Sequence, residues 1–265
     1  MFAQRSARCL FLVSTFAWLL ALSDSICAQQ LRIETHVFVD DETEPASHNV
    51  TLFDSTTVYD FADEPAQITV FRAPTASHPG SFILLNPETK SRTEVSTERI
   101  AGLMKKLTRW AGEQEDELLK FSAEPKFEQS FDEESGVLTL ESPVWNYTVA
   151  TVPAEDAEAL ARFREFTDWY TRLSTMVQSS LPPGARLELN AALADHNVVP
   201  VEIRRTVKSE STALRSTHLF TWRLSREDRQ RIEETQGYLA SFKKVGNEEF
   251  LARKAGEDVV RGQSR

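Results

Sequence analysis

Residues 49–72 read NVTLFDSTTVYDFADEPAQITVFR: three short apolar runs, NVTLFD, TTVYDF and AQITVFR, broken by turn residues. Each run has the length and the β-branched and aromatic content of a strand. The breaks are too short for a crossover helix, so neighbouring strands must run antiparallel. Working outward, LRIETHVFV at 31–39 places Leu31, Ile33, Val37 and Val39 on one face and Arg32, Glu34 and His36 on the other, the pattern of a half-buried strand. The polar DDETEPASHN, with Pro45, turns the chain between them. On the other side SFILL at 81–85 and TKSRTEV at 89–95 follow APTASHPG, giving six strands in about 65 residues.

Two amphipathic helices interrupt the strands. Ser96 and Thr97 are capping residues before a stripe of Ile100, Leu103, Met104, Leu107 and Trp110. Pro153 precedes a second stripe, Leu160, Phe163, Phe166, Tyr170, Leu173 and Val177, which stops before Pro182-Pro183-Gly184. Between them KFEQSF, GVLTLES and PVWNYTVAT read as strands, the first two joined by DEESG. A short helix over Leu187 to Ala194, two long strands in PVEIRRTV and STALRSTHLFTWRL, and a helix opened by the Ser225/Asp228 capping box complete the pattern. About 11 strands with three or four helices predict an α+β fold, a large antiparallel, half-barrel-like sheet with helices packed on one face. One domain is expected over 29–245, followed by a flexible tail at 246–265 where charge is high and periodicity is lost.

The run VTLFDSTTVYDFADEPAQITVFRAP with SFILLNPETKSRTEV resembles the strand rhythm of lipoprotein-carrier proteins of the localisation (Lol) type, and ADHNVVPVEIRRTV resembles that family's proline-opened strand. The LF…VYDF, FEQSFDE and FTWRL blocks more closely resemble an uncharacterised family of exported bacterial proteins. The Lol-type resemblance implies a half-closed sheet lidded by helices, with a concave apolar face that receives an acyl chain. The chain departs from that pattern in having no helix before the first strand and a long helical insertion at 154–178.

Residues 1–28 carry Arg5 and Arg8, an apolar run from Cys9 to Leu22, and Ala28 before the expected cut, the order of a secretory signal peptide. The apolar run is shorter than the roughly 18 to 20 residues that span a bilayer, so no stable membrane span is expected after cleavage and the product is periplasmic or extracellular. Cleavage removes both cysteines, and with them thiol and disulfide chemistry, and leaves 28 basic against 39 acidic groups. That negative balance argues against nucleic acid as a partner.

Nine glycines in 265 residues leave little for a phosphate-cradling loop, and no G-x-S-x-G elbow occurs. The five histidines are scattered singly along the chain, so no metal site and no cofactor is expected. Period-two alternation aligns His218, Phe220 and Trp222 on one face of the late strand, and Trp145 with Tyr147 on one face of PVWNYTV. These five are the candidate ligand-binding residues; core filling is the competing account of them. The expectation is an exported, non-enzymatic protein that takes an apolar or lipid-like ligand in the half-barrel. A structural or protein-interaction domain with a packed core, and a carboxylate-dependent hydrolase, remain open beside it.

Overall fold

Strands alternate faces along the whole chain and are gathered into one sheet. The structure, a computed structural model, describes residues 30–252. Its strands are β1 (Leu31–Val39), β2 (Ser47–Asp54), β3 (Thr57–Ala62), β4 (Gln67–Arg72), β5 (Ser81–Asn86), β6 (Ser91–Ser96), β7 (Glu128–Asp132), β8 (Val137–Glu141), β9 (Trp145–Pro153), β10 (Val198–Val207), β11 (Leu214–Thr221) and β12 (Lys243–Lys244). Helices α1 (Thr97–Gly112) and α2 (Glu117–Ala123) lie between β6 and β7, α3 (Ala157–Gln178) and α4 (Gly184–Asp195) between β9 and β10, and α5 (Arg226–Ser241) before β12. All 12 strands form one open sheet in the order β12-β6-β5-β4-β3-β2-β1-β11-β10-β9-β8-β7. Every pairing is antiparallel except β12 with β6. The α+β architecture read from the sequence is the one observed.

Two meanders meet at the centre, where β1 pairs with β11 from Arg32 opposite Thr221 to Val39 opposite Leu214. On one face α1 and α3 cover Ile33, Phe53, Phe71 and Phe82. On the same side α4 seals β8–β10 by packing Ala185, Leu189 and Leu193 against Leu138, Tyr147 and Ile203. The helices are not all on that face: Ile232, Leu239 and Phe242 close the reverse of β2–β5 over Leu52, Tyr59, Val70 and Leu85. Strands β3, β4 and β5 are consequently buried over four consecutive residues, as strands covered on both sides are.

Three local readings differ from the structure. Strand β10 begins at Val198 rather than at Pro200, and a bulge between Pro200 and Glu202 absorbs the proline that the ladder cannot use as a donor. In α1 the buried side is Ile100, Met104 and Ala111, with Leu103 and Trp110 exposed. The tail expected from residue 246 does not begin there: residues 247–252 are helical, and Phe250, 4% exposed, joins the core beneath α1 and α3, held by Thr93 Oγ1 donating to the Val245 carbonyl. The expected signal peptide at 1–28 and residues 253–265 lie outside the described residues. Among the described residues no helix is long and apolar enough to cross a membrane.

Candidate functional site

Helix α3 turns one stripe, Phe163, Phe166, Thr167, Tyr170, Thr171 and Ser174, toward the centre of the sheet. The stripe is aromatic at its start and hydroxyl-rich at its end, so the helix stands off the strands instead of sealing them. Opposite it lie Ile33, Thr35 and Val37 of β1, Thr51 of β2, Asp60 of β3 and His218 of β11, and together they enclose a chamber of ≈ 270 Å³. The chamber shares Val37, Thr171, Ser174, Arg186 and Ser216 with a wider one of ≈ 630 Å³, walled by Trp145, Tyr147, Leu181, Ile203, Arg205 and Arg215. A larger groove of ≈ 1010 Å³ between α1, α2 and α4 is rimmed by the exposed side chains of Lys105, Arg109, Lys120 and Glu113, and has the character of a solvated surface.

The inner chamber holds one carboxyl among the described residues, Asp60, which is 2% exposed. It accepts from Asn49 Nδ2 at 2.7 Å, from Thr51 Oγ1 at 2.7 Å and from the Tyr170 hydroxyl. Burial pushes its pKa up, and the three donors pull it partly back. The charge of Asp60, then burial, holds the Tyr170 phenol well above its ordinary value, so it serves only as a donor.

His218 has both ring nitrogens occupied: Nδ1 lies 3.1 Å from Thr35 Oγ1 and Nε2 lies 3.0 Å from Ser216 Oγ. Burial, with a smaller push from Arg186, lowers its pKa to about 3. The ring is therefore neutral at pH 7 and too weak a base to activate Ser216 as a nucleophile.

Arg186 enters from the first turn of α4. A Cβ on Gly184 would come 2.5 Å from the Ser122 carbonyl, so glycine lets that turn press against α2 and set the height of the arginine. Arg186 is half-buried as a residue, its guanidinium is enclosed by protein, and it lines the cavity. Its Nε donates to Asn190 Oδ1 at 3.0 Å, and Asn190 Nδ2 donates to Asp168 Oδ1 at 2.8 Å. No carboxylate among the described residues forms an ion pair with Arg186. Burial lowers its pKa, but from a starting value so far above neutrality that the charge stays.

The outer chamber repeats the theme. Arg205 lies over the Trp145 ring at 5.2 Å and pairs with Glu210, while its Nε has no acceptor. Trp145 Nε1 completes no hydrogen bond of good geometry, its interaction with the Tyr147 hydroxyl being a loose one. The two chambers thus carry the guanidinium groups of Arg186, Arg205 and Arg215 against the carboxyl groups of Asp60 and Glu210, among apolar and hydroxyl-bearing walls.

Of the residues anticipated from sequence, Trp145 and Tyr147 wall the outer chamber and His218 the inner one. Phe220 and Trp222 do not line either: Phe220 meets Phe163 edge-on at 5.3 Å and stacks with Trp222 at 6.2 Å, both half-buried against the edge of the core cluster. Sequence reasoning missed Arg186, Asp60 and Tyr170. The aspartate in VYDF, an acid within an otherwise apolar run, was the available signal. The expectation of no metal site rested on spacing along the chain, whereas Glu34, His36 and His48 gather across two strands on the opposite face. No protein-family model and no curated protein matches the chain.

Proposed function

We propose that the protein is an exported, non-enzymatic binding protein whose cavity takes an amphipathic anion, a lipid-like or other apolar body ending in a carboxylate or phosphate. The observation that carries this reading is Arg186, an enclosed guanidinium in the wall of a cavity that has no carboxylate at ion-pair distance, Asp168 acting on it through Asn190 and at longer range. An unpaired buried charge costs several kcal/mol, and an anionic head beside it offsets that cost. The apolar body meets Val37, Ile203, Leu181 and the Trp145 ring, and the outer chamber of ≈ 630 Å³ falls in the roughly 300 to 1,000 Å³ range of small-molecule sites, with the inner one of ≈ 270 Å³ opening from it. A concave apolar face under a helical lid is also what the Lol-type resemblance implies.

Native mass spectrometry of protein taken from its own compartment, with titration of a fluorescent fatty-acid analogue into delipidated protein, tests the proposal. Bound lipid-like mass and saturable uptake of the probe are expected. Arg186→Gln is expected to weaken the anionic probe at least about tenfold, the scale of one charge-assisted hydrogen bond, and to leave a fatty alcohol unaffected. Absence of bound mass together with no uptake of either probe overturns the reading in favour of a packed interaction domain.

A further inference from the structure

The face of β1 opposite the cavity carries Glu34 and His36, and antiparallel pairing sets His48 of β2 directly across from His36. The imidazoles stack with centroids 4.5 Å apart. His48 Nε2 lies 3.2 Å from Glu34 Oε1, and His36 Nε2 lies 4.0 Å from the same oxygen. One ligand atom from each of the three residues falls within 4.8 Å of the others. In a tetrahedral zinc site with bonds of about 2.0 to 2.1 Å, ligand atoms stand about 3.3 Å apart. One edge of this triangle is at that length already, and rotation of the His36 ring shortens the rest.

Hydrogen bonds behind the three groups supply the second observation. Asp63 Oδ2 engages His48 Nδ1 and holds the ring with Nε2 turned toward Glu34 Oε1, to which Nε2 donates; a metal ion binding there would take the place of that Nε2 proton. Arg32 donates to Glu34 Oε2 at 2.8 Å, occupying that oxygen and leaving Oε1 toward the histidines. Carboxylates behind ligating histidines orient metal ligands in this way. The side chains are 27%, 36% and 26% exposed for Glu34, His36 and His48, open enough for an ion to enter and for water to take a fourth position.

We infer that Glu34, His36 and His48 form a binding site for a divalent first-row transition metal of the zinc class, with Asp63 and Arg32 as its positioning residues. Two imidazoles and one carboxylate suit zinc, copper or nickel better than calcium or magnesium, which prefer oxygen.

Zinc is the probe, added to untagged full-length protein at pH 7.5 and followed by calorimetry and by the 15N resonances of the imidazoles. One zinc per chain is expected, with resonances of two of the five histidines shifting together. His36→Ala and His48→Ala are each expected to weaken binding more than tenfold, Asp63→Ala by about 10- to 100-fold as for other outer-shell partners, and His78→Ala not at all. The fatty-acid probe is expected to bind all four variants like wild type, which separates this site from the cavity. Absence of saturable one-to-one binding, shifts confined to other histidines, or undiminished affinity in the His36→Ala/His48→Ala double variant overturns the proposal. Should a histidine variant fail to fold, the wild-type imidazole spectra alone decide.

Discussion

Acidification is expected to weaken the fold through His218 before most carboxylates protonate. In the unfolded chain the imidazole titrates near 6.5, and in the folded one its pKa falls to about 3, chiefly through burial. Between those values the unfolded state binds one more proton than the native state, so stability falls as pH falls, by about 1.36 kcal/mol per pH unit at the steepest. Stability from this group is fully present above the unfolded pKa and is lost progressively toward the folded one. From pH 7 to pH 4.5 the loss amounts to about 2.5 kcal/mol, a substantial share of an ordinary stability of about 5 to 15 kcal/mol. Asp60, whose pKa is raised, acts in the opposite direction: its neutral form is the one the fold prefers, so its protonation favours the native state. Urea denaturation of delipidated protein at pH 7, 6, 5 and 4.5, run beside His218→Gln, separates the two. The glutamine retains partners for Thr35 and Ser216, does not titrate, and leaves Asp60, Tyr170 and Arg186 in place. Wild type is expected to lose about 2.5 kcal/mol more than the variant over that range. Equal losses in the two proteins, or an imidazole resonance titrating near pH 6.5 in the folded state, would refute the reasoning.

Other perturbations have equally definite outcomes. Phe82, fully buried and 4.7 Å from the Phe71 ring, leaves a cavity when cut to alanine, and Phe82→Ala is expected to cost about 3 to 5 kcal/mol in chemical denaturation. Ser225→Ala removes the hydroxyl that accepts from the Asp228 amide at 3.0 Å and is expected to cost about 1 kcal/mol. Arg186→Met is expected to leave the ligand-free protein within about 1 kcal/mol of wild type while abolishing anion binding, since an apolar side chain replaces a buried charge that no carboxylate meets at ion-pair distance. Gly184→Val drives a branched side chain at the Ser122 carbonyl and Pro125, and is expected to lower both the melting temperature and the affinity for the fatty-acid probe by displacing Arg186.

Much of the sheet was legible because its strands alternate and its turns are marked. The stretches that escaped reading have little hydrophobic signal of their own. Helix α2, ELLKFSA, spans seven residues and is set by the Asp116 cap inside an acidic run that reads as solvated loop. Strand β12 is two lysines, placed by main-chain bonds of Lys243 to Lys90 and of Val245 to Arg92 and by the Lys244–Glu94 ion pair. Helix α5 reads as amphipathic, but which face of the sheet it covers is a tertiary fact, hinted at only by the unbroken apolar runs of β3–β5. The site followed the same division. Trp145, Tyr147 and His218 fall on cavity walls because strand periodicity assigns faces, whereas Phe220 and Trp222 share His218's face yet pack against the core, Phe220 against Phe163. Arg186 on a helix resembles any surface arginine until the packing of Gly184 draws it inward. Glu34, His36 and His48 were invisible to a search along the chain because pairing between strands brings them together.

The seam between β1 and β11 has a consequence for the order in which the molecule is made. Either meander can assemble from neighbours in sequence, but Thr35 meets His218 across 183 residues, and closing a loop of that length comes late and slowly. The cavity straddles this junction, with Thr35 and Val37 on one bank and Ser216 and His218 on the other. The ligand proposed for it would act as a rivet through the last joint to close. Its arrival would slow amide exchange along β1 and β11 more than anywhere else in the sheet, and its departure would make that joint the first to part.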